Sequence, residues 1–161
     1  MAVRHRLIRR PPAAVWAVLA DGSRYGEWVV GPDESRQDGS DWPGLGSTIE
    51  YTVSLGPWSG TGKTIVRDVE PPRRIELEAD SGRLGTARIA IEIRPWGEDA
   101  LVIVDEHPLR GPGGHLHNAA LDALLQLRHR RMLRRLADVV EGTPRSTGEA
   151  TRTHRGSSSR A

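Results

Sequence analysis

The chain has 161 residues, a formal net charge of +2 and no cysteine; the length suits one domain with a substantial core, and the missing thiols exclude disulfides, thiolate metal ligands and cysteine nucleophiles, as expected of a cytoplasmic protein. Residues 143–161 carry Arg145, Arg152, Arg155 and Arg160 against Glu149, a charge of +3, so +2 less +3 leaves −1 for the body, and a near-neutral body argues against a nucleic-acid partner. The longest apolar run, residues 13–20, is far short of the roughly 20 residues of a membrane span, and residues 1–12 lack the apolar stretch of a signal peptide, so no membrane partner is expected.

Residues 3–8 alternate and predict an edge strand, after which Pro11 and Pro12 open an apolar helix over residues 13–19; proline in a first turn costs no hydrogen bond. Asp21-Gly22 ends that helix, and a second short helical turn from Ser23 leads to Trp28 before Gly31-Pro32 breaks it. Residues 31–46 are rich in Gly, Pro, Asp and Ser and read as a loop.

Strand-like segments follow. Residues 48–55 place Ile49, Tyr51, Val53 and Leu55 on one side and Thr48, Glu50, Thr52 and Ser54 on the other. Residues 64–69 are strand-like with an uncertain register, Ile75, Leu77 and Ala79 alternate with Glu76 and Glu78, and Ile89, Ile91 and Ile93 oppose Arg88, Glu92 and Arg94. Such alternation marks antiparallel strands with one buried face. Residues 101–104 are continuously apolar, so their phase is not legible from periodicity. The run Gly60-Thr61-Gly62-Lys63-Thr64 ends like a phosphate-binding loop, but Pro57 stands where the earlier glycine is required and a strand follows. These glycines read as hairpin-turn residues, and Lys63, the only lysine, as an exposed strand residue.

The last element is a long helix over residues 115–141, with Leu121, Leu124, Leu125, Met132, Leu136 and Val139 in one sector and Arg128 inside that stripe. Asn118, His117 and Arg135 border the same face. Strands joined by short connections and followed by one long helix indicate an α+β domain over residues 1–142. Residues 143–161, Ser, Thr, Gly and Arg with almost no apolar side chain, are expected to be a disordered basic tail.

The run from Pro11 through Val15, Trp16 and Leu19 to Asp21, then Tyr25 and Trp28, then Val69-Glu70-Pro71-Pro72-Arg73-Arg74-Ile75, then the long terminal helix, resembles the START-like, helix-grip superfamily known as SRPBCC. Within it the chain is similar to the bacterial polyketide cyclase/dehydrase group, over about residues 3–141. The resemblance implies a curved antiparallel sheet wrapped around the C-terminal helix, two short helices after the first strand, and a cavity that receives a lipophilic or aromatic, polyketide- or lipid-like molecule. In that arrangement Trp28 closes one end, Tyr51, Ile89 and Ile91 form the floor, and Asn118, Leu121, Leu125, Arg128 and Met132 form the roof, with Glu106 joining from the last strand.

Fold does not dictate function. Ligand binding without chemistry is the first reading, a cyclase, aromatase or dehydratase in the same cavity the second, and an interaction protein with a filled core the third. For chemistry, Arg128 would hold an enolate or carboxylate, with Glu106 and His107 or His117 moving protons; alternatively Arg128 packs its stem and turns outward, or pairs with Glu106 or Asp105. His115 and His117 lie roughly 200° apart on a helix and cannot grip one metal as a pair. No metal or cofactor is expected, and nothing in the pattern fixes an oligomeric state.

Overall fold

The structure, a computed structural model, describes residues 2–30, 32–39, 41–55, 57–80, 86–110 and 119–144, the side chains of residues 2, 33, 55, 58, 108–110 and 119–129 excepted. Most of the expected tail, residues 145–161, lies outside the described residues. β1 (Ala2–Ile8) leads into α1 (Pro12–Leu19), a single 3₁₀ turn (Gly22–Arg24) and α2 (Tyr25–Trp28). Six strands follow: β2 (Pro32–Asp38), β3 (Thr48–Leu55), β4 (Trp58–Glu70), β5 (Arg74–Asp80), β6 (Thr86–Trp96) and β7 (Asp99–Arg110), and the chain then enters α3 (Ala119–Gly142).

All seven strands form one antiparallel sheet in the order β1-β7-β6-β5-β4-β3-β2. Strands β2 to β7 pair with their sequence neighbours, whereas β1 returns to β7, so α1 and α2 carry the chain from one sheet edge to the other. α3 packs against β1, α1 and α2. Its described half buries Met132, Leu133, Leu136, Ala137 and Val140, which recur at the three- and four-residue spacing of one helix face. Val139, expected inside the stripe, sits half-buried at its margin.

The facing sheet surface is built by alternation. Ile49 and Tyr51 on β3, Thr64 and Val66 on β4, Ile75, Leu77 and Ala79 on β5, Ile91 and Ile93 on β6, and Ala100, Val102, Val104 and Glu106 on β7 are all buried. The phase of β7, illegible in an unbroken apolar run, is thereby set: even-numbered residues point inward. Each large apolar side chain on this face contributes about 1.5–3 kcal/mol of transfer free energy.

Two expectations are corrected. Residues 31–46 are not loop throughout, because β2 lies within them as an edge strand, with Ser35 opposite Tyr51 and Gln37 opposite Ile49. Its polar residues hide the period of two. Backbone pairing to β3 forms the strand, and Gln37 closes over Gly22 without an apolar side chain being needed. Nor are Gly60 and Gly62 turn residues; both pair inside β4, opposite Val53 and Tyr51. Lys63, which follows Gly62, is an exposed strand residue, opposite Glu50.

The outer surface of β4, β5 and β6 carries ion pairs. Arg67 donates to both carboxylate oxygens of Glu78 at 3.0 and 3.2 Å, Arg88 and Arg74 meet Glu76 at 3.1 and 2.8 Å, and Arg94 meets Glu92 at 2.7 Å. Hydrogen bonds from Arg67, assisted by its charge, hold the Glu78 carboxyl below its ordinary value of 4.5, and Arg94 does the same for Glu92. A carboxylate whose folded pKa is depressed adds stability above its ordinary value and loses it as pH falls through the folded value. Acidification from about pH 7 to about pH 3 is therefore expected to lower the urea midpoint less in Glu78→Gln than in the unsubstituted chain. Equal acid sensitivity in the two proteins would remove the Arg67–Glu78 pair from that response.

Candidate functional site

Between the sheet and α3 lies a void of about 10 Å³ walled by Tyr25, Trp28, Val29, Leu77, Ala79, Ile89, Glu106 and Met132. α2 supplies the aromatic end of this wall because it is only one turn long, which puts Tyr25 and Trp28 three residues apart on its inner side. Their rings meet edge to face with centroids 5.4 Å apart, and Tyr25 also contacts Trp42 at 6.2 Å and stacks on Tyr51 at 6.4 Å. The Tyr25 hydroxyl shares a 2.6 Å hydrogen bond with the Thr64 hydroxyl, which satisfies two polar groups inside an apolar wall. Arg135 of α3 donates to the Val29 carbonyl at 3.2 Å and fixes the end of α2 against the long helix.

Two polar groups stand out in the wall. Glu106 is 6% exposed and lies on β7 opposite Ile89 of β6. Trp28 is 2% exposed, and its indole N–H has no hydrogen-bond partner among the described residues. An unpaired buried donor costs on the order of 1–3 kcal/mol.

The structure brings together Trp28, Ile89, Met132 and Glu106 of the residues expected from sequence. Tyr51 is buried in the adjoining aromatic cluster rather than in the wall, and Ile91 is fully buried within the core. His107 follows Glu106 on β7 and so faces the other way; it bonds Asp105 at 3.1 Å with its side chain 45% exposed. Asp105 and His107 thus belong to the outer surface. Leu121, Leu125 and Arg128 fall on α3 where only the backbone is described, and Asn118 and His117 lie outside the described residues. Tyr25, Val29, Leu77 and Ala79 complete the wall without having been assigned to it from sequence. The alternation of Ile75, Leu77 and Ala79 was the signal for the last two.

A second, far larger concavity of about 900 Å³ opens on the surface of β2 to β5, where Glu34, Arg36, Glu50, Thr52, Lys63 and Asp80 are among its lining residues. Size does not make it the better site for an apolar ligand. Its lining is mostly charged or hydroxylated, whereas the interior void has aromatic and aliphatic walls with a few polar groups, the pattern of small-molecule sites. Among the described residues no group of three His, Asp or Glu side chains could hold a metal ion, and no helix is long and apolar enough to cross a membrane.

Residues 2–141 match the family model described as polyketide cyclase / dehydrase and lipid transport. No curated protein matches the chain. Among solved structures, protein CV1439 from Chromobacterium violaceum aligns over 87% of this chain and 96% of its own, at 17% identity and a TM-score of 0.66. Ara h 8.0201 aligns over 88% and 97% at 10% identity and a TM-score of 0.71. DynU16, a protein of the dynemicin biosynthetic locus, aligns over 89% of this chain but 48% of its own, at 21% identity and a TM-score of 0.65. At such identities the likeness is one of fold, a helix-grip architecture with an open antiparallel sheet and a C-terminal helix.

Proposed function

The chain belongs to the polyketide cyclase / dehydrase and lipid transport family, and from that membership we propose that it binds a lipophilic or aromatic, polyketide- or lipid-like molecule between the sheet and α3. The observation that carries this reading is the composition of the interior wall among the described residues: Tyr25 and Trp28 at one end, Leu77, Ala79 and Ile89 beneath, Met132 above, and the carboxylate of Glu106. Aromatic and branched walls favour flat apolar molecules, and a few polar groups fix their orientation. The place of DynU16 in a biosynthetic locus agrees with a ligand of that class.

A void of about 10 Å³ holds at most one water, so binding requires the wall to part. Met132 is the side chain suited to that movement, being unbranched, with three rotatable bonds and a soft thioether. A second reading, catalysis of cyclisation or dehydration in the same space, is favoured by Glu106, a carboxylate placed where it could take up or return a proton beside an apolar substrate.

Native mass spectrometry of the purified protein, followed by denaturing extraction, tests the reading. An apolar or polyphenolic compound retained by the folded protein and released on unfolding is the expected result. A protein that carries nothing, and whose melting temperature no flat aromatic compound raises, would overturn it. Turnover of a bound polyketide-like compound, lost in Glu106→Gln while binding persists, would move the assignment to the enzyme.

A further inference from the structure

Resting on the ligand-binding reading above, we propose that the ligand is an aromatic molecule bearing both a carbonyl and a hydroxyl, with the carbonyl oxygen accepting from the Trp28 indole N–H and the hydroxyl donating to Glu106. Trp28 is 2% exposed, lines the interior void, and its indole N–H, the one donor of its side chain, has no partner among the described residues. The other buried groups nearby are provided for. Trp42 shows how a buried indole is satisfied by the protein itself, donating to the Leu19 carbonyl at 3.0 Å, while Tyr25 and Thr64 satisfy one another. Indole nitrogen is a donor only, so what completes Trp28 must be an acceptor.

Glu106 adds the complementary preference. Its carboxylate sits in the same wall, offers several acceptor positions, and accepts a ligand hydroxyl in addition to whatever else it bonds. A hydrocarbon would leave Trp28 unpaired. A carbonyl-bearing aromatic restores the missing bond at the moment it fills the void, and sites built with buried polar groups reject analogues that lack the matching group.

The test uses the full ¹⁵N-labelled chain and four probes: 2-ethylnaphthalene, 2-acetylnaphthalene, 2-naphthol and 6-acetyl-2-naphthol. The Trp28 indole resonance is assigned by its disappearance in Trp28→Phe. The expected result is that both acetyl compounds bind about tenfold more tightly than 2-ethylnaphthalene and shift the Trp28 indole proton downfield, with 6-acetyl-2-naphthol the tightest. Trp28→Phe should erase the preference for acetyl over ethyl, and Glu106→Gln should weaken 2-naphthol more than 2-ethylnaphthalene. Equal binding of ethyl and acetyl compounds inside the protein, with the Trp28 proton unmoved, would overturn this inference and leave the binding reading standing. Failure of all four to perturb interior resonances would overturn both. Should Trp28→Phe not fold, the acetyl-to-ethyl affinity ratio in the unsubstituted chain decides the matter.

Discussion

Met132→Ala is expected to lose about 2–5 kcal/mol of folding stability and to regain part of that loss when a small flat apolar compound is added. Met132 is 5% exposed and caps the interior void against Trp28, Leu77 and Ile89. Truncation removes the transfer free energy of the side chain and leaves a hole that the packed sheet on one side and α2 on the other can only partly fill. The hole joins the existing void, so a naphthalene-sized molecule gains a dry apolar seat. At a free concentration a hundred times its dissociation constant such a ligand restores about 2.7 kcal/mol. Denaturant unfolding with and without naphthalene measures both quantities. A loss below about 1 kcal/mol would show that the wall collapses onto the gap, and a large loss that no ligand relieves would mean that the space under α3 is closed to small molecules.

Gly62→Ala should be the most disruptive single-carbon change in the sheet, costing about 1–3 kcal/mol, or a fall of roughly 2–4 °C in melting temperature for each kcal/mol. Gly62 pairs directly with Tyr51 across β3 and β4, and the Tyr51 ring lies over its backbone. A methyl group there would stand 2.6 Å from that ring and 2.7 Å from the Asp80 carbonyl oxygen. The ring can swing, but swinging it breaks its stacking on Tyr25 and so reaches the wall of the void. The carbonyl belongs to β5 and cannot yield alone. Thermal unfolding of Gly62→Ala, with and without Tyr51→Leu, separates the two: a cost unrelieved by the shorter side chain belongs to the carbonyl, and a cost below about 0.5 kcal/mol would mean that neither contact is rigid.

The repeating backbone was legible wherever burial is one-sided. Ile75, Leu77 and Ala79 against Glu76 and Glu78 gave the phase of β5, and Ile89, Ile91 and Ile93 gave that of β6, because a half-buried strand writes its inner face into every second residue. β2 was not legible. An edge strand held by backbone pairing to β3 puts few demands on side chains, so Glu34, Ser35, Arg36 and Gln37 look like loop. β7 was legible as a strand and not in its facing; the step from Glu106 to His107 separates an interior carboxylate from a surface imidazole, and only pairing with β1 and β6 decides which is which. Gly60 and Gly62 misled because a glycine carries no side chain to write a strand's alternation; the Tyr51 ring and the Asp80 carbonyl stand over Gly62, while nothing lies within 4 Å of a Cβ at Gly60.

The sequence by itself therefore determined the kinds and order of the elements other than β2, the family, and the apolar character of the interior, since these follow from periods of two and 3.6 residues and from local breakers such as Pro11-Pro12. Tertiary structure alone decided that Trp28 and Glu106 share one wall, that the Trp28 indole N–H finds no partner there among the described residues, and that His107 stays outside. The reason is physical: local pattern reports how often a side chain is buried, whereas its neighbours in space are set by strand pairing and helix docking between distant segments, and a shift of one residue in register turns every side chain of a strand to the opposite face.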